Sequence, residues 1–451
     1  MSTLTCFKAY DIRGRIPSEL NETLAYQIGQ AYAGFVKPDT VAVGRDIRTT
    51  SATLSAALVR GLLDSGVNVA DIGLCGTEGV YFATFAEGLG GGIMVTASHN
   101  PPDYNGMKFV REQSRPISAD TGLKDMQAMI EGAQLPPRAP RAGVARALDI
   151  NAKYIEHLLG YVKGATLRPL KVVVNAGNGG AGLVVDRLEP HLPFQFVKIH
   201  HQADGSFPNG VPNPMIEANR AVTSDAIRRS GAEIGLAWDG DFDRCFFFDE
   251  HGGFVEGYYL VGLLAEAFLK RYPGARIVHD PRLTWNTLDI VRRCGGQAVM
   301  CRSGHAFIKQ RMREVDAVYG GEMSAHHYFR DFAYCDSGMI PWLLVLAVIS
   351  ASGKTLGELV RERQRLYPVS GEINREISDA RAASALVQSH YQSQALAVDF
   401  TDGLSMEFAQ WRLNLRASNT EPLLRLNVEA RGDEALMQAK TAEVLALVAR
   451  A

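Results

Sequence analysis

Short apolar runs alternate along this chain with stretches in which apolar residues recur at helical spacing. Residues 41–43, 67–72 and 92–95 are runs of strand length, and residues 51–63 have the spacing of an amphipathic helix. Strands that alternate with helices predict an α/β domain in which the helices cover a sheet.

The same alternation of strands and helices continues after a segment of different composition. Residues 134–146 are rich in Pro, Ala and Arg without periodicity, which indicates a linker. After this linker the pattern predicts helices over 150–162 and 258–271 and strands over 171–174, 234–238, 276–279 and 297–301.

The tail of the chain has a different pattern, in which strands follow one another before a last helix. Residues 366–371 indicate a boundary, strands are predicted over 411–415 and 423–428, and a helix is predicted from Glu434. The sequence therefore predicts three similar α/β domains and a smaller C-terminal α+β domain. Their predicted bounds are residues 1–146, 147–249, 250–367 and 368–451.

The composition indicates a soluble globular protein with substantial cores, since 46% of the residues are hydrophobic and 21% are charged. A net charge of −2 gives no electrostatic footprint for nucleic acid or an anionic membrane, so neither is an expected partner. No secretory signal is recognised, the apolar run at 339–349 is too short to span a bilayer, and the six cysteines form no C-x-x-C pair. We therefore expect a cytoplasmic enzyme that holds any anionic ligand with local clusters of Arg, Lys and backbone amides.

A first candidate for chemistry is the loop at residues 96–101, which directly follows a predicted strand. Pro101 and Pro102 prevent a helix from continuing, so Ser98 and His99 are expected on an exposed, stiffened loop. A serine hydroxyl can act as a nucleophile or carry a phosphoryl group. The G-x-S-x-G elbow of acyl hydrolases is absent. Alone, the loop is equally compatible with a turn in which the serine caps backbone groups.

A second candidate is an acidic loop between two apolar runs. Asp239, Asp241 and Asp243 alternate with other residues, and such a concentration of carboxylates favours a bound Mg²⁺ or Ca²⁺. An EF-hand is excluded because Arg244 stands where that motif needs glycine. An acidic solvated turn remains the alternative, and Arg244 is a candidate contact for phosphate or substrate.

Two further loops are suited to a sugar phosphate. Glu322 and Ser324 offer acceptors and a donor for vicinal hydroxyls, although a tight turn explains them equally well. A second loop has the donors that a phosphate dianion needs, although a plain turn before a strand is again the alternative. Its residues are Arg416, Ser418, Asn419 and Thr420, with Arg425 beyond them. Every one of these loops follows a strand-like run, where α/β sheets bind ligands.

Together these motifs resemble the α-D-phosphohexomutase superfamily, and their order and spacing are similar to its bacterial phosphomannomutase/phosphoglucomutase branch. The segments that carry the resemblance are residues 7–14, 96–101, 239–244, 322–326 and 416–420. The resemblance implies four domains with mixed sheets around a central cleft, hexose phosphates as substrates, Mg²⁺, and a hexose 1,6-bisphosphate as intermediate and activator. The implied reaction interconverts mannose 6-phosphate and mannose 1-phosphate, and glucose phosphates are expected to react as well.

The resemblance also implies roles for individual residues. Ser98 would be the phosphoserine and would hold Mg²⁺ with Asp239, Asp241 and Asp243. The other implied catalytic residues are His99, Lys108, Arg244 and His305. The implied substrate contacts are Tyr10, Arg13, Arg282, Glu322, Ser324, His326, Arg416, Ser418, Asn419, Thr420 and Arg425. The chain departs from many relatives at Ala97 and Ala325, where glycine is common, but neither change removes a ligand.

Several alternatives stay open at this point. A dedicated phosphoglucomutase is the nearest, while a metal-dependent phosphatase and a non-catalytic sugar-phosphate binder are the alternatives from other classes. A phosphoglucosamine mutase is disfavoured because relatives of that kind usually have Gln in place of Met323. The expected assembly is a monomer or a weak homodimer.

Overall fold

The computed structural model describes residues 4–377, 379–417 and 423–450. Its strands are β1 (Ile12–Arg15), β2 (Thr40–Arg45), β3 (Asn68–Leu74), β4 (Gly91–Val95), β5 (Tyr104–Arg111), β6 (Arg115–Pro116), β7 (Ala145–Ala147), β8 (Lys171–Asn175), β9 (Gln195–Ile199), β10 (Ile234–Trp238), β11 (Cys245–Phe248), β12 (Phe254–Val255), β13 (Arg276–His279), β14 (Gln297–Met300), β15 (Tyr319–Gly321), β16 (His327–Phe329), β17 (Cys335–Asp336), β18 (Ile373–Glu376), β19 (Ala397–Asp399), β20 (Leu404–Glu407), β21 (Trp411–Ala417) and β22 (Leu423–Ala430).

The α-helices alternate with these strands over most of the chain. They are α1 (Glu22–Val36), α2 (Ser51–Asp64), α3 (Thr77–Ala86), α4 (Leu123–Glu131), α5 (Asn151–Gly160), α6 (Ala181–Leu188), α7 (Ala221–Ser230), α8 (Gly257–Arg271), α9 (Trp285–Arg293), α10 (His305–Val315), α11 (Ile340–Ser352), α12 (Leu356–Leu366), α13 (Ala380–Tyr391) and α14 (Glu434–Val448).

The chain divides into two compact units. The first contains residues up to 254 together with 328–353, and the second contains residues 255–327 together with those from 354 onward. Within the described residues, no single helix is both long and apolar enough to cross a bilayer; α11 and α12 pass that test only when counted together.

The first sheet is mixed and has the strand order β1-β5-β4-β2-β3-β7. Strand β2 runs parallel to β3 and β4, whereas β5 runs antiparallel to β4 and β1. Helices α1 and α2 pack closely because each has a glycine at their crossing. A Cβ atom at Gly29 would lie 2.4 Å from the Leu58 carbonyl oxygen, and one at Gly61 would lie 2.1 Å from that of Tyr26.

The predicted linker at residues 134–146 is wrong in its last part. Residues Ala145–Ala147 form β7, which pairs in parallel with β3 at the edge of the first sheet. The side chains of β7 are exposed on both faces, so the strand has no apolar alternation by which the sequence could reveal it. Its contribution is made by the backbone, which pairs with the edge of β3.

The second sheet of the first unit positions the acidic loop. Strand β8 runs parallel to β9 and β10, and β11 returns antiparallel to β10, with Trp238 paired to Cys245. Both β10 and β11 are buried along their whole length, as expected of strands covered on both faces. The connection between them, residues 239–244, is therefore held at both ends by rigid strands.

The second unit contains a parallel group and an antiparallel sheet. Strand β13 lies between β14 and β15 and runs parallel to both. The C-terminal sheet is antiparallel in the order β18-β22-β21-β20-β19, and α13 and α14 supply side chains to its hydrophobic core. The predicted strands at 411–415 and 423–428 lie within β21 and β22, and the closing helix begins at Glu434 as predicted.

Candidate active site

Ser98 follows the end of β4 and lies against the acidic loop of the same unit. Its Oγ donates a hydrogen bond to Asp239 Oδ2 at 3.0 Å and lies 3.2 Å from His99 Nδ1. The backbone of Ser98 is left-handed, with φ of 47°, and its N–H donates to Thr96 Oγ1 at 3.0 Å. A non-glycine residue in this conformation is uncommon and often marks a functional site.

The expectation that Ser98 is exposed is wrong, because its relative exposure is 4%, although the neighbouring His99 is exposed. At Gly240 the backbone of the acidic loop packs directly against the backbone of Ser98. A Cβ atom built on Gly240 would lie 2.3 Å from the Ser98 carbonyl oxygen. Only glycine at this position lets the two loops approach so closely.

This contact gives a first prediction: Gly240→Ala should lower kcat by about 10- to 100-fold, since displacement of reacting groups by about 1 Å is enough for such a loss. The added methyl group has to push the acidic loop away from Ser98. Steady-state kinetics with thermal melting checks the effect, and Gly160→Ala is the matched control because no atom lies within 4 Å of its Cβ position. A Gly240→Ala enzyme with native kcat would contradict the close contact.

The three aspartates of the acidic loop converge. Asp239 and Asp241 are fully buried, Asp243 is 2% exposed, and each offers an oxygen within 4.8 Å of the others. Among the described residues, Asp241 Oδ1 has no hydrogen-bond partner. Buried carboxylates this close together are stable only beside positive charge, and their hard oxygen atoms suit a small divalent cation. The structure thus brings together the three carboxylates that the sequence singled out, and their role as metal ligands stays a prediction.

Two cations from the protein already contact this cluster. Lys108 Nζ, which extends from β5, lies 2.7 Å from Asp241 Oδ2 and 2.5 Å from Asp243 Oδ2. Arg244 contacts Asp239 Oδ2 through Nε at 2.8 Å and through its terminal nitrogen at 2.7 Å. Burial lowers the pKa of Lys108, but the two aspartates outweigh it and the net shift is upward. Burial, reinforced by the neighbouring carboxylates and opposed by Arg244, raises the pKa of Asp239 to about 7.

His99 and Arg244 meet beside the serine. The terminal nitrogen of Arg244 lies 2.6 Å from His99 Nδ1, and because a guanidinium can only donate, Nδ1 is the acceptor. Although part of His99 is exposed, its ring packs against Arg244, and desolvation of the ring and the Arg244 charge lower the pKa of His99, which agrees with a neutral ring. The structure thus brings His99, Lys108 and Arg244 to Ser98 or to the aspartates that it faces; their catalytic roles stay predictions.

The predicted N-terminal contacts lie in the same unit. Arg13 on β1 bonds Asp11 at 2.8 Å and donates to the carbonyl oxygen of Thr96 at 3.1 Å, two residues before Ser98. Tyr10 is half-buried just before β1. Thr77, which sequence reasoning missed, donates from Oγ1 to Asp241 Oδ2 at 2.5 Å from the first turn of α3. No motif marks it, because its partner is 164 residues away.

In the second unit, Arg282 is the centre of the predicted sugar-binding residues. Its guanidinium bonds Asp280 at 2.6 Å, Ser324 Oγ at 3.3 Å and Glu322 at 3.5 Å, and it reaches Glu372 at 3.4 Å. Burial opposes its positive charge, but the surrounding carboxylates raise the pKa of Arg282. Asp280 and Glu372 were missed from the sequence, since neither belongs to one of its polar loops.

Of the two predicted histidines of this unit, His326 contacts Glu322 directly, and His305 follows a glycine that does. His305 begins α10, and the N–H of Gly304 before it donates to Glu322 Oε1 at 2.9 Å. His326 Nδ1 lies 3.6 Å from Glu322 Oε2 and 3.4 Å from Ser324 Oγ. Glu322, Ser324 and His326 therefore form one local group, and their role as substrate contacts stays a prediction.

Arg416 and Arg425 are directly opposite each other on β21 and β22. Both contact Glu372, at 3.1 and 3.3 Å respectively. Burial raises the pKa of Glu372, but the surrounding arginines outweigh it and the net shift is downward. The other predicted phosphate ligands lie outside the described residues: Ser418, Asn419 and Thr420.

A buried serine that faces three aspartates beside a lysine and an arginine is equipped for phosphoryl transfer, in which positioning and charge neutralisation do most of the work. The chain matches the phosphoglucomutase/phosphomannomutase models for alpha/beta/alpha domains I, II and III and for the C-terminal domain. The matched residues are 5–134, 152–253, 256–367 and 372–446.

Individual relatives extend over nearly the whole chain. A phosphomannomutase from Escherichia coli is 59% identical over 99% of this chain and 100% of its own length. A protein described as phosphohexose mutases, from Xanthomonas campestris, is 59% identical over 98% of both chains. The structure of a phosphoglucomutase/phosphomannomutase family protein from Burkholderia thailandensis aligns with a TM-score of 0.88 at 32% identity, covering 99% of this chain and 98% of that one.

The protein is a phosphohexomutase, an isomerase. It belongs to the phosphoglucomutase/phosphomannomutase family. The resemblance inferred from the sequence is thereby confirmed, together with three α/β domains that have mixed sheets and a C-terminal α+β domain. The domain bounds given above, the individual site roles and the central cleft stay predictions.

Proposed function

We propose that this enzyme interconverts mannose 6-phosphate and mannose 1-phosphate through a phosphoserine at Ser98, and that it also acts on glucose phosphates. The observation that carries the chemistry is the buried Ser98 hydroxyl, hydrogen-bonded to Asp239 within an acidic cluster. The preference for mannose rests on relatives named phosphomannomutase, which are 53–59% identical over 99% of this chain.

In the proposed reaction, phosphoserine 98 passes its phosphoryl group to the free hydroxyl of a hexose phosphate. The serine O–P bond breaks and a new sugar O–P bond forms, while the sugar hydroxyl loses its proton and the released Ser98 oxygen takes one up. The product is a hexose 1,6-bisphosphate, which turns round and returns its other phosphoryl group to Ser98. Lys108 and Arg244 supply positive charge for the transferred group, at positions fixed by their contacts with the aspartates.

The same aspartates are the proposed holders of Mg²⁺. The set fits this ion because its donors are hard carboxylate oxygens and because Asp241 Oδ1 has no hydrogen-bond partner in the part of the chain that is described. When bound, Mg²⁺ would neutralise negative charge on a phosphoryl oxygen. Asp239 would then have two tasks, since it also accepts the hydrogen bond of the Ser98 hydroxyl.

The second unit supplies the proposed recognition of the sugar phosphate. Glu322 and Ser324 offer oxygens for the sugar hydroxyls, and Arg416 and Arg425 offer guanidinium groups for the phosphate that is not being transferred. Glu372 already engages both arginines, so a bound phosphate has to share them with this carboxylate. A cytoplasmic location and a monomer or weak homodimer complete the proposal.

Coupled assays test the substrate. Mannose 1-phosphate and glucose 1-phosphate are supplied separately, with Mg²⁺ and a trace of glucose 1,6-bisphosphate, and formation of the 6-phosphate is followed together with free phosphate. We expect isomerisation of both sugars without phosphate release, with kcat/KM for mannose at least equal to that for glucose. Turnover of glucose alone would indicate a dedicated phosphoglucomutase, phosphate release a phosphatase, and no turnover a binding protein.

A further inference from the structure

The loop that carries Ser98 is built around one buried guanidinium. Arg48 is 3% exposed and donates to four backbone carbonyl oxygens of this loop. One terminal nitrogen bonds the carbonyls of Ser98 at 2.8 Å and Asn100 at 2.6 Å. The other bonds those of Pro101 at 2.8 Å and Tyr104 at 3.0 Å. The carbonyl of Ser98 itself is therefore fixed by a charge-assisted hydrogen bond.

Arg48 is in turn held from its own side. Its backbone N–H donates to Asp46 Oδ1 at 3.0 Å, and its Nε lies 3.6 Å from Asp46 Oδ2. Ser51 Oγ donates to Asp46 Oδ1 at 2.5 Å, and the ring of Phe207 lies 5.1 Å from the guanidinium carbon. Because Asp46 also bonds the carbonyl of Val95 at the end of β4, the guanidinium is oriented relative to the strand that leads to Ser98.

The loop has few N–H donors of its own for these carbonyls: the Tyr104 N–H reaches the carbonyl of Pro101 at 3.0 Å. Pro101 and Pro102 have no N–H to donate, and the left-handed backbone at Ser98 prevents a continuous helical or strand pattern. The planar fork of arginine presents several donors in a fixed geometry, whereas the lysine ammonium is a compact charge on a flexible stem. Four carbonyls spread over residues 98–104 therefore need an arginine.

We infer that Arg48 is a positioning residue for phosphoryl transfer: by fixing the backbone of residues 98–104 it aims the Ser98 side chain at Asp239. This inference rests on the proposed role of Ser98 and goes beyond it, because Arg48 has no predicted contact with substrate. It acts through the backbone, on the face of the loop that carries the carbonyls. Loss of the Arg48 guanidinium leaves every reacting side chain present, but it removes the hydrogen bonds that position the Ser98 loop.

The test compares Arg48→Lys and Arg48→Met with Arg45→Met, whose arginine lies three residues earlier and makes a long, partly exposed contact with Asp71. We expect kcat to fall about 10- to 100-fold in Arg48→Lys, and further in Arg48→Met, on both sugars. KM should stay within a factor of about three, since substrate contacts are unchanged. Arg45→Met should retain native kcat.

A second readout separates positioning from general stability. The phosphorylated enzyme is mixed, in excess, with mannose 1-phosphate, and the first formation of hexose bisphosphate and mannose 6-phosphate is followed by rapid quench in a single turnover. This rate should fall with kcat in Arg48→Lys, and methylguanidinium should partly restore it in an Arg48→Ala enzyme. Melting curves report the folded fraction of each variant. If Arg48→Met does not fold, the Arg48→Lys variant alone tests the positioning role.

Two outcomes would overturn the inference: native single-turnover rates in Arg48→Lys and Arg48→Met, or a loss that only matches the unfolded fraction and does not respond to methylguanidinium. The proposed function is judged separately, on the unmodified enzyme. If that enzyme does not isomerise either sugar, the proposed function fails; if it does and the Arg48 variants match it, only the role of Arg48 fails.

Discussion

Ser98→Ala is expected to abolish isomerisation of both mannose and glucose phosphates, with a loss of at least about three orders of magnitude in kcat. The hydroxyl that would carry the phosphoryl group is absent from this variant, while the aspartates, Lys108 and Arg244 remain. The Ser98 hydroxyl contacts Asp239 and His99, which both belong to the site, so its removal should leave the fold intact. The measurement is the coupled assay at saturating sugar phosphate and bisphosphate.

Ser114→Ala is the matched control. This serine is also buried in the first unit, where its Oγ donates to the carbonyl of Tyr81. It should retain native turnover. Peptide mass analysis completes the experiment: after incubation with glucose 1,6-bisphosphate, one phosphoryl group should appear on the peptide that contains Ser98 and on no other. Substantial turnover by Ser98→Ala, or a phosphoryl group elsewhere, would contradict the proposed mechanism.

The strands and helices that the sequence predicts best are those whose burial pattern is simple. Strands β10 and β13 have the predicted bounds, 234–238 and 276–279. Strand β10 is buried throughout and appears as an unbroken apolar run, and β13 is buried at its last three residues. Strand β7 was missed for the opposite reason, since its side chains are exposed and only its backbone pairs. Local pattern therefore predicts β10 and also β14 at a sheet edge, because both contain an apolar run, and it misses the short, fully exposed β7.

In the candidate site, too, the residues predicted from the sequence are those identified by a local pattern. Asp239, Asp241 and Asp243 are predictable because they share one short loop, and that loop alone makes them converge. Thr77 and Arg48 were missed because their partners are 164 and about 50 residues away and depend on how the strands are ordered. The burial of Ser98 could not be predicted either, because it follows from the approach of Gly240, in the acidic loop of another sheet, and not from the residues beside Ser98.

Asp241→Asn is expected to weaken activation by Mg²⁺ and to lower kcat/KM when the metal is scarce. The substitution keeps the shape of the side chain and an oxygen for the Thr77 hydroxyl, but it removes one negative charge from the cluster. It also removes one of the two carboxylates that hold Lys108. Mutation of a residue that hydrogen-bonds a metal ligand already lowers metal affinity by about 10- to 100-fold. Loss of the charge of a ligand itself should lower Mg²⁺ affinity at least as much.

The experiment titrates Mg²⁺ at fixed mannose 1-phosphate in the unmodified enzyme, in Asp241→Asn and in Asp186→Asn. The last is the control, because Asp186 is an exposed carboxylate paired with Lys198 in the same unit. High Mg²⁺ should restore part of the activity of Asp241→Asn, because mass action offsets weaker binding, whereas Asp186→Asn should follow the unmodified enzyme throughout. An unchanged half-activating concentration in Asp241→Asn, or full activity of the unmodified enzyme in excess chelator, would remove the acidic loop from the proposed mechanism. Ser98 would then have to transfer its phosphoryl group with Lys108 and Arg244 as the cations beside it.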